Sequence, residues 1–308
     1  MRGRRPTVMA LAVGLDLLIG EPPSAGHPVA WLGRALGTLE ARLPRRTIGD
    51  GAAALLAVTG AAVALATVVS RVARRLGRLG CLVEALALKP AFALRRLATA
   101  AGEVERALGG GDLVDARRLV GRHLVSRATA DLDPALVTSA AVESVAENLA
   151  DSVVAPLLAY AAGGLGGAWA YRVVNTADAM WGYRGGRYEW FGKPAARLDD
   201  LANLVPSRAA AVAIAAGASA VGEDGRGAWR VARRDHRRTA SPNAGWPMAA
   251  MTGALGVGLE KPGHYRLGDG ALPASAQAIG RAIRVFTAAA AIAAMAAGAL
   301  AALVEPRR

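Results

Sequence analysis

The apolar positions of this chain fall in long unbroken runs rather than in a two-residue alternation, a pattern that predicts helices. Residues 51–69 and 285–304 hold no charged side chain. Each is long enough to cross a hydrocarbon layer of about 30 Å, which takes roughly 20 apolar residues in helix. Residues 153–171 read the same way, as do 201–221, which are interrupted by Pro206 and Arg208. A shorter run over 7–20 contains Asp16 and follows a basic start at Arg2, Arg4 and Arg5. No small-residue cleavage site follows it, so it reads as a retained first helix. Residues 82–131 alternate apolar stretches with arginine pairs, as amphipathic helices do, and Gly109-Gly110-Gly111-Asp112 marks a helix break with Asp112 as N-cap. No strand pattern of any length stands out. The expected fold is all-α: one polytopic integral membrane domain over 1–308, with about five transmembrane helices plus amphipathic and loop helices.

Composition sharpens that picture. Over 308 residues the chain is 53% apolar and only 20% charged, which excludes disorder, and its single cysteine, Cys81, excludes a disulfide scaffold. Because the runs are rich in weakly hydrophobic alanine, buried helices of a soluble all-α protein are the alternative to membrane spans. The 37 Lys and Arg outnumber 24 Asp and Glu, a net charge of +13. Such a balance often points to nucleic acid, but aromatic residues at 5% are too sparse for a base-stacking platform, so no nucleic-acid partner is expected. The basic residues lie between the apolar runs, beside a lipid bilayer. If all five segments span, one side carries 25 Lys and Arg and the other 10, and the richer side faces the cytoplasm. The expectation is a multi-pass protein of the cell membrane with its active side cytoplasmic.

Four polar blocks interrupt the apolar runs. In the first, Glu143, Glu147 and Asp151 are spaced i, i+4, i+8, so one helix face presents three carboxylates with Asn148 alongside. Like charges at that spacing repel and need water or a cation, and a hard cation such as Mg²⁺ suits them. A solvated acidic face is the plain alternative. The second block pairs Asn175 with Asp178 and Asp199 with Asn203, around Trp181, Tyr183, Arg184, Tyr188, Trp190, Phe191 and Lys193. Its glycines permit a tight loop whose N–H groups approach an anion, although an interfacial aromatic belt also accounts for the aromatics. The third runs Arg233-Arg234-Asp235-His236-Arg237-Arg238 into Ser241-Pro242-Asn243 and Trp246, suited to phosphate, carboxylate or lipid headgroups. The fourth contains Asp16, Glu21, His27 and Trp31. An acid inside a spanning segment is a functional candidate, and His27 reads as a base or as a turn residue before Pro28. Phosphate-loop, dinucleotide-binding, H-E-x-x-H and C-x-x-C patterns are missing, and a protein zinc site is not expected.

These blocks, as DLLIGEPPSAGHPVAWLGR, ESVAENLADSVVAPL, YRVVNTADAMWGYR with RYEWFGKPAARLDDLANLVPSR, and SPNAGWPMAAMTGALGVGLEKPGHY, run in order from about residue 13 to 267. Together they resemble the cobalamin-biosynthesis family called CobD or CbiB, the adenosylcobinamide-phosphate synthases. Glu21 before Pro22-Pro23 departs conservatively from the Asp common there. The resemblance implies a membrane enzyme that joins a carboxyl of adenosylcobyric acid to (R)-1-amino-2-propanol or its O-phosphate, or to ethanolamine or its phosphate. ATP and Mg²⁺ are implied with it, and other corrinoid-pathway membrane enzymes are possible partners. On that reading Glu143, Glu147, Asp178 and Asp199 are the catalytic candidates, and Glu147, Asp151 and Asp178 the Mg²⁺ candidates. Arg184, Lys193 and Arg237 are assigned to phosphate, with Ser241 and Asn243 orienting it. Asn148, Asn175, Tyr183 and His27 complete the substrate set, and Trp181 and Trp246 pack on the corrin rim. A transporter or ion channel with intramembrane acids is the alternative, and a basic membrane scaffold is a third reading. If 153–171 spans unbroken, the Glu143 and Asp178 blocks fall on opposite sides; the Gly163-Gly164-x-Gly166-Gly167 run therefore predicts a broken or re-entrant helix.

Overall fold

The computed structural model describes residues 3–21, 26–43, 45–183 and 185–305. Along the chain run α1 (Arg4–Ile19), α2 (Pro28–Arg42), α3 (Ile48–Arg75), α4 (Leu79–Leu88), α5 (Arg95–Gly109), α6 (Leu113–His123) and α7 (Pro134–Leu149). After a π-helical turn over Ala150–Val154 come α8 (Ala155–Trp181), α9 (Lys193–Ala202), α10 (Leu204–Ala220), α11 (Gly225–Asp235), α12 (Gly245–Leu255) and α13 (Gln277–Val304). The protein is helical as its apolar runs predict. One element departs from that expectation: Leu259–Lys261 (β1) and Tyr265–Leu267 (β2) form an antiparallel hairpin with Leu259 opposite Leu267. Three residues per strand are too few to show a period-two pattern in a sequence.

Helix boundaries follow local chemistry. Thr47 and Asp50 make a reciprocal capping box at the start of α3. Asp112 accepts the Asp115 N–H at 2.9 Å, which places the expected N-cap at α6. Asp133 caps α7 ahead of Pro134, whose missing N–H costs nothing at a first helical position.

The chain forms two compact units. The first comprises residues 1–93, 155–203 and 296–308, and the second 94–154 and 204–295. In the first, α3 packs on α8 and α1 on α4, around a core that includes Leu36, Leu55, Val58, Val173, Trp181 and Phe191. In the second, α10, α11 and α12 pack together, α12 rests on α7, and α5 packs on α6 and α7. Helix α5 buries Leu97, Ala100, Ala101 and Val104, an amphipathic stripe.

Three helical stretches have the length and hydropathy to cross a membrane: α3, the run 134–181, and α13; the bent pair α9–α10 would make a fourth. These hold the expected segments 51–69, 153–171 and 285–304, and the bent pair, which ends at Ala220, holds all but the last residue of 201–221. Helix α1, at 16 residues, is shorter than the rest. Only 22% of the apolar window is buried in α3 and in α13, and Leu56, Leu65, Met295 and Leu303 point outward. A soluble bundle would bury such faces; lipid accepts them. Helix α8 is broken at Gly164 (φ 62°, ψ −155°), a backbone that only glycine adopts readily. The Arg5 guanidinium donates to the carbonyl oxygens of Ala161 and Ala162 at 2.9 and 3.3 Å, next to that break. The glycine run does break the helix, as its composition predicted.

Candidate functional site

In the second unit the acidic block lies at the end of α7. Glu143 is 4% exposed. Its carboxylate accepts from Arg127 at 3.2 Å, from the Ser139 hydroxyl at 3.1 Å and from the Tyr265 hydroxyl at 3.2 Å. The small hairpin earns its place here, because Ser139 also accepts the Glu260 N–H at 2.8 Å, pinning β1 to α7. Burial together with the charges of Glu143 and Glu147 pushes the Tyr265 hydroxyl up, so it stays protonated and donates. Glu147 is half-buried one turn on from Glu143. The row of three carboxylates does not continue regularly: Asp151 lies in the π turn, where an extra residue per turn shifts the face on which it emerges. On another face of α7, Ser152 donates to Asn148 Oδ1 at 3.1 Å and Asn148 donates to the Ser144 carbonyl at 3.0 Å. Asn148 therefore braces this helix end, and its amide is spent within it.

The Ser-Pro-Asn block shares that unit. Helix α10 packs on the π turn. Ser241 Oγ accepts the N–H groups of Asn243 and Ala244, a turn that seats Asn243 at 6% exposure. Asn243 Oδ1 in turn accepts from Ser207 at 3.3 Å and Arg208 at 3.1 Å. Trp246 stacks on His236 at 4.0 Å between ring centroids. The basic run resolves into two kinds of residue. Asp235, fully buried, is paired with Arg234 and Arg238 and accepts the Gly268 N–H. Burial alone would raise its carboxyl, but those partners hold it below the usual range. Arg233 and Arg237 are exposed.

In the first unit the second block makes a continuous network. The Arg172 guanidinium binds the Ala91 carbonyl and donates to Asn175 Oδ1 at 3.1 Å. Asn175 and Asn203 both donate to Asp199, at 3.2 and 3.0 Å, and the Tyr171 hydroxyl donates to Asn203 at 3.0 Å. The two pairs expected from spacing thus meet across α8 and α9. Asp178 is half-buried on α8, three residues from Asn175. Close by in sequence to Ala91, Lys89 ion-pairs with Asp16 at 3.5 Å and with Glu21 at 3.0 Å. Glu21 also contacts His27 Nε2, while His27 Nδ1 accepts the Val29 N–H as N-cap of α2. His27 is therefore both the turn residue and a carboxylate partner. Burial raises Glu21, but His27 and Lys89 outweigh it and hold the carboxyl below its ordinary value.

One expected substrate contact is corrected. Trp181 is fully buried, donates its indole N–H to Glu40 at 3.0 Å and meets Phe191 edge-on at 4.8 Å. It is core, and has no face for a corrin. Lys193 pairs with Glu189 and lies 3.6 Å over the Trp190 ring. Tyr183 is exposed at 54%, and Arg184 lies outside the described residues. Arg127, Tyr265, Lys89, Glu40 and Arg172 are polar partners that sequence reasoning missed. Their signal was weak because each sits alone among apolar or basic neighbours and gains its meaning from a distant segment.

Among the described residues, no group of three or more His, Cys, Asp or Glu is placed to hold a metal ion. The three-carboxylate Mg²⁺ set is therefore not assembled there. A Mg²⁺ bound through one carboxylate, with water and substrate phosphate as its other ligands, matches the hard oxygens of half-buried Glu147.

The family described as CobD/Cbib protein matches residues 9–298. A probable cobalamin biosynthesis protein CobD from Methanothermobacter thermautotrophicus is 43% identical over 264 residues, 85% of this chain and 86% of that protein. The cobalamin biosynthesis protein CobD of Dehalococcoides mccartyi is 40% identical over 282 residues, 88% and 89%. That of Klebsiella pneumoniae is 38% identical over 268 residues, 84% of each. No solved structure matches the chain.

Proposed function

The chain belongs to the CobD/CbiB family of cobalamin-biosynthesis proteins, and from that premise we propose that it is an adenosylcobinamide(-phosphate) synthase of the cell membrane. The reaction joins a carboxyl of adenosylcobyric acid to (R)-1-amino-2-propanol, its O-phosphate, or the ethanolamine counterpart. A carboxylate resists attack by an amine. ATP overcomes this by transferring its γ-phosphoryl group to the carboxylate, with ADP as leaving group, and the amine then displaces phosphate from the acyl phosphate and loses a proton. Mg²⁺, where bound, neutralises phosphate charge.

The protein's own residues have narrower tasks. Asp199, held between two amide side chains that donate to it, and Asp178 on the same helix system are the candidate acceptors of the amine proton. Glu143, locked by Arg127, Ser139 and Tyr265, orients its end of α7, and Glu147 beside it is the candidate Mg²⁺ ligand. The observation that carries this reading is that each of the four blocks behind the family resemblance contributes polar residues to a buried or half-buried network within its own unit. The loop segments richest in Lys and Arg, 70–152 and 222–284, are assigned to the cytoplasmic side, where ATP is supplied, and with the broken α8 and the bent α9–α10 pair both read as re-entrant, residues 175–200 return to that side with Asp178 and Asp199.

Incubating detergent-purified protein with adenosylcobyric acid, ATP, Mg²⁺ and each amine tests the reaction. The corrinoid is expected to gain the mass of the amine less one water. Unchanged corrinoid in every combination, with the protein folded, would overturn the assignment.

A further inference from the structure

Arg208 sits one turn into α10, where one of its terminal nitrogens is engaged three times. Nη1 donates to the Leu204 carbonyl at 2.7 Å, to Ser207 Oγ at 3.1 Å and to Asn243 Oδ1 at 3.1 Å. The guanidinium carbon lies 5.1 Å from the centroid of Trp246, whose ring also stacks on His236. Held at one corner and against one face, the guanidinium makes no hydrogen bond through its Nε and Nη2 edge among the described residues. Most half-buried arginines of this protein face a carboxylate, as Arg4 faces Glu84, Arg127 faces Glu143 and Arg281 faces Glu223. Arg208 forms no ion pair among the described residues. Its charge is uncompensated in a unit that also exposes Arg233 and Arg237 nearby in sequence to His236.

A second observation is independent of the first. Trp246 Nε1 is buried and has no hydrogen-bond acceptor among the described residues. Buried N–H groups are nearly always paired, with protein, ordered water or a bound group, so this one is open to an acceptor from outside the chain. The planar Arg edge takes two oxygens side by side, and an indole N–H beside it takes a third. A carboxylate has two oxygens to offer; a phosphoryl group has three, with more charge to meet the uncompensated arginines.

We propose that Arg208 and Trp246 form a binding site for a phosphoryl oxyanion, seated by Ser207 and Asn243 and backed by His236. The inference rests on the reaction proposed above, which supplies two sources of that chemistry, the nucleotide and an O-phosphorylated amino alcohol.

Calorimetric titration of the full-length protein in phospholipid-free micelles separates them. The probes are 1-aminopropan-2-ol O-phosphate and a non-hydrolysable ATP analogue. Trp246→Phe keeps the stack and every Nη1 contact but removes the N–H; Arg208→Lys keeps the charge but removes the fork. Each is expected to weaken binding of one probe by about tenfold or more, the loss of a hydrogen bond to a charged group. The probe affected identifies the source. Wild-type affinity for both probes in Trp246→Phe and Arg208→Lys, or no binding of either probe by the wild type, would overturn the site. Corrinoid turnover is measured on the same preparation. A wild type that forms product while both variants bind normally overturns the site alone. Weakened binding in both variants, with no product from the wild type, supports the site and overturns the reaction.

Discussion

Lys89 illustrates how much of this protein is decided by single charged side chains. It is buried with Asp16 beside half-buried Glu21, and these three carry one cation against two carboxylates. Taking charges out of water is costly and is offset only while the partners remain together, so removing one is far worse than replacing a set. Lys89→Met is expected to destabilise the protein by about 3–5 kcal/mol in a detergent melt. Lys89→Met combined with Asp16→Asn should cost clearly less than the two single changes added. Additive losses would show that the pair does not interact. By contrast Arg118, exposed and paired with Asp115 three residues before it, should tolerate Ala at under about 1 kcal/mol. At the candidate site the measurement is kinetic. Asp199→Asn keeps the size of a side chain held by Asn175 and Asn203 but removes its basicity, and should lower kcat by about 10²–10⁴. Retained activity in a folded Asp199→Asn protein would move the base elsewhere. Asp16, Asp199 and Glu143 were legible as candidates from their positions in apolar or helical runs. Lys89, Arg127 and Tyr265 were not, because each partner comes from a segment far away in sequence.

At the scale of elements, two glycines of similar appearance in the sequence do opposite things. A Cβ at Gly192 would stand 1.8 Å from the Trp181 carbonyl oxygen, with backbone on the other side that has no room to yield. Gly192 thus lets the Trp190-Phe191 loop close back on the end of α8 and bury Trp181. Gly163 has open space around its Cβ position and a helical backbone. Gly192→Ala is expected to abolish folding or lower the melting temperature steeply, while Gly163→Ala should be neutral or add up to about 1 kcal/mol from helix propensity. Equal melting of both variants would refute the close approach. The start of α6 was open to reading, because a capping side chain acts on backbone N–H groups two or three residues away, and the starts of α3 and α7 follow the same chemistry in the structure. The hairpin, the π turn and the buried indole of Trp181 were hidden for the same reason in reverse. Each is fixed by what packs on it: Ser139 on β1, α10 on the π turn, and Glu40 on Trp181.

For the molecule as a whole, several carboxylates are held below their usual range. Glu21 is held by His27 and Lys89 against its burial; Glu40 by Arg46, Trp181, Tyr188 and Arg187; and Asp235 by Arg234, the Gly268 N–H and Arg238. The unfolded chain takes up protons at these groups before the folded one does. Their stabilisation is therefore complete above the ordinary carboxylate range of about 4 and is lost as pH falls through the lowered folded values. Melting temperature should drop steeply below about pH 4, and Glu40→Gln should flatten that drop. Orientation is testable with single cysteines in a Cys81→Ala background. Arg226→Cys should react with an impermeant thiol reagent only after the membrane is opened, and Thr47→Cys in intact cells; the reverse pattern would invert the assigned topology. What the sequence determined by itself is whatever depends on short range or on sheer composition: helices, their caps, the apolar lengths that lipid demands and the broken glycine run. The family, too, is written in contiguous strings. Only the tertiary structure decided which charges meet, because a buried ion or indole is satisfied by geometry in three dimensions. Spacing along the chain placed Asn175 and Asp199 on faces, but the packing of α8 on α9 brought those faces together.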